Sequence, residues 1–158
     1  MVSLRDALAL FALIASTVHA QSVGLPTPRL LTTTPMGGQV GTQVDITITG
    51  EELDNAGEML FSDPHLTATP KLDANGQPIP NQYTVTIAPD CPVGVYETRI
   101  RTRLGLSSAR IFSVNNLPEL MQKAGNTTVA NAMELPLNSI VNAVMSGRSA
   151  DHLSLIHI

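Results

Sequence analysis

The 158-residue sequence predicts an all-β protein: a sandwich of about seven strands, then a linker and an incomplete second β-sandwich, all behind an N-terminal signal peptide. Three observations carry this. Apolar and polar residues alternate with a period of two, as in Val44-Asp45-Ile46-Thr47-Ile48 and Tyr83-Thr84-Val85-Thr86-Ile87. The alternating stretches are short and are punctuated by turns rich in glycine and proline. No helical period lies between them.

The first segment serves targeting. Arg5 is its one cation, Ala7 to Val18 is an apolar run of twelve residues, and Val18 and Ala20 place small residues at the −3 and −1 positions before Gln21. These are the parts of a signal peptide, with cleavage expected between Ala20 and Gln21. A spanning helix needs about 20 apolar residues, so the run is too short to remain as an anchor. No second run is longer, so the mature chain is expected to have no membrane span. Residues 1–20 are thus the signal, and residues 21–28 a proline-containing linker.

The sandwich is expected over residues 29–115. Leu30 to Thr34 is a strand ended by Pro35, and Met36 to Gly41 is a tight turn whose glycines permit positive φ. Thr42 to Thr49 follows, with Val44, Ile46 and Ile48 facing inward. Glu58 to Ser62 is a short strand, and Leu66 to Thr69 an edge strand stopped by Pro70. Lys71 to Gln82 is expected as a loop, Tyr83 to Ile87 as a strand, and Pro89 to Gly94 as a bend. Tyr96, Thr98, Ile100 and Thr102 then share one strand face, and Glu97, Arg99, Arg101 and Arg103 the other. Leu104-Gly105-Leu106 forms a hairpin, from which Ser107 to Val114 returns with Phe112 and Val114 inward.

These residues also carry a resemblance. Pro35 to Thr42, the alternation through Ile48, and then Gly50 and Leu53 resemble the opening of immunoglobulin-like IPT/TIG-type domains of exported bacterial proteins. Pro92-Val93-Gly94-Val95-Tyr96 is similar to that family's late Pro-x-Gly-x-Tyr turn, and Ser107 to Val114 to its last strand. The resemblance implies an immunoglobulin-like β-sandwich, a fold that by itself specifies no activity. Beyond it, residues 116–129 are expected as a linker. Asn126-Thr127, Ala132, Leu135-Pro136 and Gly147 resemble the start of a pre-peptidase C-terminal (PPC) domain, truncated here at residues 130–152. Its partial strands would have unpaired edges and no opposing sheet, so Ala130 to Ile158 is expected to be poorly ordered.

Residues 153–158, Leu-Ser-Leu-Ile-His-Ile, agree codon for codon with the translation of a transposase adapter used in library preparation, CTG TCT CTT ATA CAC ATC. They are expected to be a sequencing artefact and the chain a fragment ending near His152.

Charge and motifs narrow the function. A net charge of −4 without clustered Lys and Arg excludes the electrostatic footprint of a nucleic-acid binder. The sequence has no H-E-x-x-H, C-x-x-C, G-x-S-x-G or P-loop pattern. No catalytic, cofactor-binding or metal residue is therefore assigned. Asp63 and His65 around Pro64 are metal ligands or a solvated turn, and no third ligand is apparent. Glu51, Glu52 and Asp54 could offer oxygens to calcium, but their spacing fits no defined calcium loop. The Arg99-Arg101-Arg103 stripe is either the wet face of a sheet or a contact for acidic polysaccharide or another subunit. Cys91, the single cysteine, is either buried as a small hydrophobe or available for intermolecular pairing. Asn126-Thr127-Thr128 fits a glycosylation sequon.

The expected function is a non-catalytic structural or binding module, secreted, periplasmic or at the cell surface, that meets protein or glycan. The alternative is the accessory N-terminal region of a larger secreted peptidase or hydrolase.

Overall fold

The computed structural model describes residues 24, 26–54, 56–144 and 150–155. The signal and its cleavage point between Ala20 and Gln21 lie outside the described residues, as do Gly147 and the last three residues of the chain.

The main body is a two-layer β-sandwich. Its strands are β1 (Arg29–Thr34), β2 (Gly37–Gln39), β3 (Gln43–Glu51), β4 (Glu58–Phe61), β5 (Leu66–Leu72), β6 (Pro78–Ile87), β7 (Gly94–Thr102), β8 (Gly105–Leu106) and β9 (Arg110–Asn115). One sheet has the order β1-β3-β6-β5; the other has β2-β9-β7-β4, with β8 paired to β7. All pairs are antiparallel except β2 with β9. With the short β2 and β8 set aside, the remaining strands follow the immunoglobulin arrangement, in which the first, second, fifth and fourth strands face the third, sixth and seventh.

Alternation builds the core. Leu30, Ile46, Ile48, Val85 and Ile87 point inward from one sheet, and Met59, Ile100, Phe112 and Val114 from the other, all essentially buried. Phe61 meets Phe112 edge to face, with ring centroids 5.4 Å apart. Thr33 is buried among them, and its hydroxyl is the one buried side-chain polar atom without a hydrogen-bond partner among the described residues. Cys91 packs into the core as a small hydrophobe.

Three local expectations change. The strands number nine rather than about seven, because β2 and β8 are too short to show a period. The residues expected as a glycine turn include β2. Of Gly37, Gly38 and Gly41, only Gly41 has positive φ, at 74°. Gly37 and Gly38 are required for close approach instead: a Cβ on Gly38 would lie 2.5 Å from Ile87 Cδ1 and 2.8 Å from Val44 Cγ2, and one on Gly37 would overlap the Ser113 carbonyl. Finally, Pro70 does not end its strand. β5 runs on to Leu72 through a bulge, and Lys71 to Gln82 forms the far part of a long hairpin in which Leu72 opposes Pro78. Edge position explains the tolerance: β5 has no outer neighbour, and β3 pairs with β6 only from Gln82 onward, so Pro78 and Pro80 lie beyond its reach.

The Pro92-to-Tyr96 stretch has a physical role here. Tyr96, near the start of β7, donates its hydroxyl to the Pro92 carbonyl at 2.6 Å, tying the strand to the bend before it. This is the tyrosine corner of immunoglobulin-like sandwiches.

After the sandwich come β10 (Glu119–Met121), a 3-10 turn at Val129–Asn131, β11 (Met133–Leu135), β12 (Ile140–Asn142) and β13 (Leu153–Leu155). They form two parallel pairs, β10 with β12 and β11 with β13. β10 falls within the residues expected as linker, and β13 within the stretch that matches the adapter.

Candidate functional site

The face of the molecule that offers a contact is the outer side of the β2-β9-β7-β4 sheet. Alternation along β7 turns Thr98, Ile100 and Thr102 inward and leaves Val95, Glu97, Arg99 and Arg101 outward. Register fills in the neighbours. β9 sets Ser113 opposite Val95 and Ile111 opposite Glu97; β4 sets Leu60 opposite Arg99 and Glu58 opposite Arg101; β8 sets Leu106 opposite Arg101. Val95 is 66% exposed, Ile111 63% and Leu106 48%, so a water-facing sheet surface carries three large aliphatic side chains.

The arginine stripe is thus real, but two of its members have carboxylate partners. Arg99 Nη2 lies 3.1 Å from Glu97 Oε2, and Arg99 Nη1 also donates to the Ser107 carbonyl at 3.3 Å. Arg101 Nη1 lies 2.9 Å from Glu58 Oε2. Arg103 follows the strand and is exposed. The face is therefore mixed in charge rather than basic. It also lacks an aromatic ring: among the described residues Tyr83 and Phe112 are buried, and Phe61 and Tyr96 pack against the core.

Asp63 and His65 come together with a third residue that the sequence did not suggest. Asp63 Oδ1 accepts from the His65 backbone N–H at 2.9 Å and lies 2.6 Å from His65 Nδ1, while His65 Nε2 lies 3.7 Å from Asp90 Oδ2. The His65 backbone N–H, followed by its side chain, holds the Asp63 carboxyl below the usual aspartate value. The hydrogen bond that the imidazole makes to the Asp63 carboxylate in turn raises His65 above 6.5. Both contacts from His65 converge on the same Asp63 oxygen, closing the turn on itself. Beside it, the Cys91 thiol and burial push the Tyr96 hydroxyl up to about 12. Among the described residues, no three His, Cys, Asp or Glu side chains are placed to hold a metal ion.

The other candidates disperse. Glu51 pairs with Arg29 at 2.8 Å across β1 and β3, and Glu52 takes a left-handed φ of 56° in the turn that follows. Asn126 of the sequon is buried, with its Nδ2 donating to the His152 carbonyl at 3.2 Å, so the nitrogen that would carry a glycan is occupied. No helix among the described residues is long and apolar enough to cross a membrane.

No family model matches the chain, and no curated protein matches it. The likeness to IPT/TIG-type and PPC domains therefore rests on the residues quoted above. Among solved structures, the chain is similar to the Bacteroides ovatus mixed-linkage glucan utilization locus protein SGBP-B, in complex with a mixed-linkage heptasaccharide. Identity is 19% and the TM-score 0.39, over 63% of this chain and 24% of that one. It is also similar to the third ScaB cohesin of R. flavefaciens in complex with a group 1 dockerin, at 16% identity and a TM-score of 0.29, over 51% of this chain and 91% of that one. The chain spans about a quarter of the first of these proteins.

Proposed function

We propose that the chain is a non-catalytic binding module of an exported or cell-surface protein, and that its sandwich meets a protein partner through the outer face of the β2-β9-β7-β4 sheet. The observation that carries this is the exposure of Val95 and Ile111, diagonal neighbours on β7 and β9, on a sheet face where Arg99 and Arg101 are both paired with carboxylates. Interfaces of this kind combine an apolar centre with a polar rim, and arginine is favoured in them. A sugar ring is usually held by an aromatic platform that stacks on its apolar face, and this surface offers none. Protein is therefore the favoured partner, and glycan the competing outcome. The export signal read from residues 1–20 supports the location.

A photo-crosslinking residue at Ile111, expressed in the source cells, tests the proposal. The expected result is a discrete protein adduct that is absent when the same residue replaces Thr67 on the opposite sheet. Equal yields from both positions would overturn the choice of face. Glycan-array binding that Ile111→Asp abolishes would replace the protein partner with a carbohydrate.

A further inference from the structure

A separate feature ties the sandwich to the segment behind it. Glu119 opens β10, and both of its carboxylate oxygens are taken by side-chain amides from opposite sides. Asn115 Nδ2, at the end of β9, donates to Oε1 at 2.6 Å, and Asn142 Nδ2, at the end of β12, donates to Oε2 at 2.6 Å. Asn142 is engaged twice, since its Oδ1 accepts the Met36 backbone N–H at 3.0 Å. Met36 belongs to the sandwich, just before β2. Asn115 is fixed in turn by the Leu117 N–H, which donates to its Oδ1 at 2.8 Å. Gly37 leaves the space this requires: a Cβ there would stand 3.0 Å from Glu119 Oε1.

The surroundings show why these bonds matter. Only Asn116 to Pro118 separate β9 from β10, too few residues for a free swivel, and the Pro118 carbonyl accepts the Ile140 N–H at 3.0 Å. Between segment and sandwich lies a cleft of about 400 Å³ lined by Pro35, Gly38, Val44, Pro118 and Leu120 among others, so apolar packing does not fill the joint. The contact is carried by hydrogen bonds to an ionised carboxylate, which are roughly twice as strong as neutral ones.

We infer that Glu119 and Asn142 form a clasp that locks the segment after the sandwich onto its β2 edge in a single orientation, making the two parts one rigid strut rather than beads on a linker. This goes beyond the binding face and does not depend on it.

Hydrogen exchange on the mature chain reads the clasp at one amide, that of Met36, whose N–H goes to Asn142 Oδ1. It should be protected in the native chain. In Asn142→Asp, which sets carboxylate against carboxylate, it should exchange at least about tenfold faster while amides of β3 and β6 keep their rates. Glu119→Gln keeps the shape and can satisfy only one of the two amide donors, so it should fall between. Nitrogen-15 relaxation should show one common tumbling time for the native chain and shorter local correlation times over residues 119–142 in Asn142→Asp. An unprotected Met36 amide in the native chain, or a Met36 rate and tumbling unchanged by Asn142→Asp, would overturn the inference.

Discussion

The sandwich and the segment after it are both made of short strands, yet they differ in what lies behind each strand. In the sandwich, every long strand sets one face against an opposing sheet, and thirteen hydrophobic residues among those described are buried. In the segment, backbone pairing is just as regular, but no described apolar side chain beyond Val114 is buried. Val129, Leu137 and Leu155 are each more than half exposed. Strand pairing alone exchanges water hydrogen bonds for internal ones, for a net gain of about 1 kcal/mol per bond. Removing apolar area from water adds roughly 25 cal/mol per Å², which favours the region that has two layers. Stability in this chain is therefore expected to follow layering rather than strand content.

The largest test of that contrast is a pair of truncations. Phe112→Ala should cost about 3 to 5 kcal/mol in urea unfolding, because the ring is fully buried against Phe61 and the space cannot collapse. Leu135→Ala in β11 should cost under about 1 kcal/mol, since that side chain is only half-buried and β11 pairs with β13 alone. Similar costs for the two would erase the distinction.

A smaller effect probes how tightly the sandwich is packed next to the joint. Gly38→Ala should destabilise by about 1 to 3 kcal/mol, because its methyl must displace the buried Ile87 and half-buried Val44 side chains. A thermal midpoint equal to that of the native chain would mean that the interior there is loose, like the segment.

Smaller again, and opposite in sign, is Thr33→Val. It replaces a buried hydroxyl that has no partner with a methyl of the same shape, and should stabilise the sandwich by about 1 kcal/mol in the same unfolding assay. A loss of stability would show that the hydroxyl is satisfied in solution.

The smallest effect is electrostatic and belongs to the β4–β5 turn. The raised His65 contributes stability that is fully present below about pH 6.5 and is lost as pH rises through its folded value. The lowered Asp63 contributes stability present above about pH 4 and lost as pH falls. The pair should therefore matter most between those limits. Urea midpoints of the native chain and His65→Ala should differ more at pH 5.5 than at pH 8.5; a gap that widens at the higher pH would reverse the assignment.

Much of the sandwich was legible because side-chain alternation is a local property. Val44, Ile46 and Ile48, or Tyr83, Val85 and Ile87, reveal a buried face without knowledge of what covers it. The arginine stripe was visible for the same reason, but its neutralisation was not, since Glu58 lies on another strand and meets Arg101 only through register. Asp90 stands 25 residues from His65 in a bend, and only the fold brings the two within 3.7 Å.

The sequence by itself determined the all-β class, most strand positions, the inward faces, and the turn from Pro92 to Tyr96, because all of these follow from side-chain period and from the backbone limits of glycine and proline. Tertiary structure decided the rest. It made Gly37 and Gly38 places of close approach rather than left-handed turns, let β5 continue through Pro70 because that edge has no neighbour, and brought Glu119 between Asn115 and Asn142. Such outcomes depend on which distant strand comes to lie alongside. That choice is set by burying whole faces together, and no short stretch of sequence contains it.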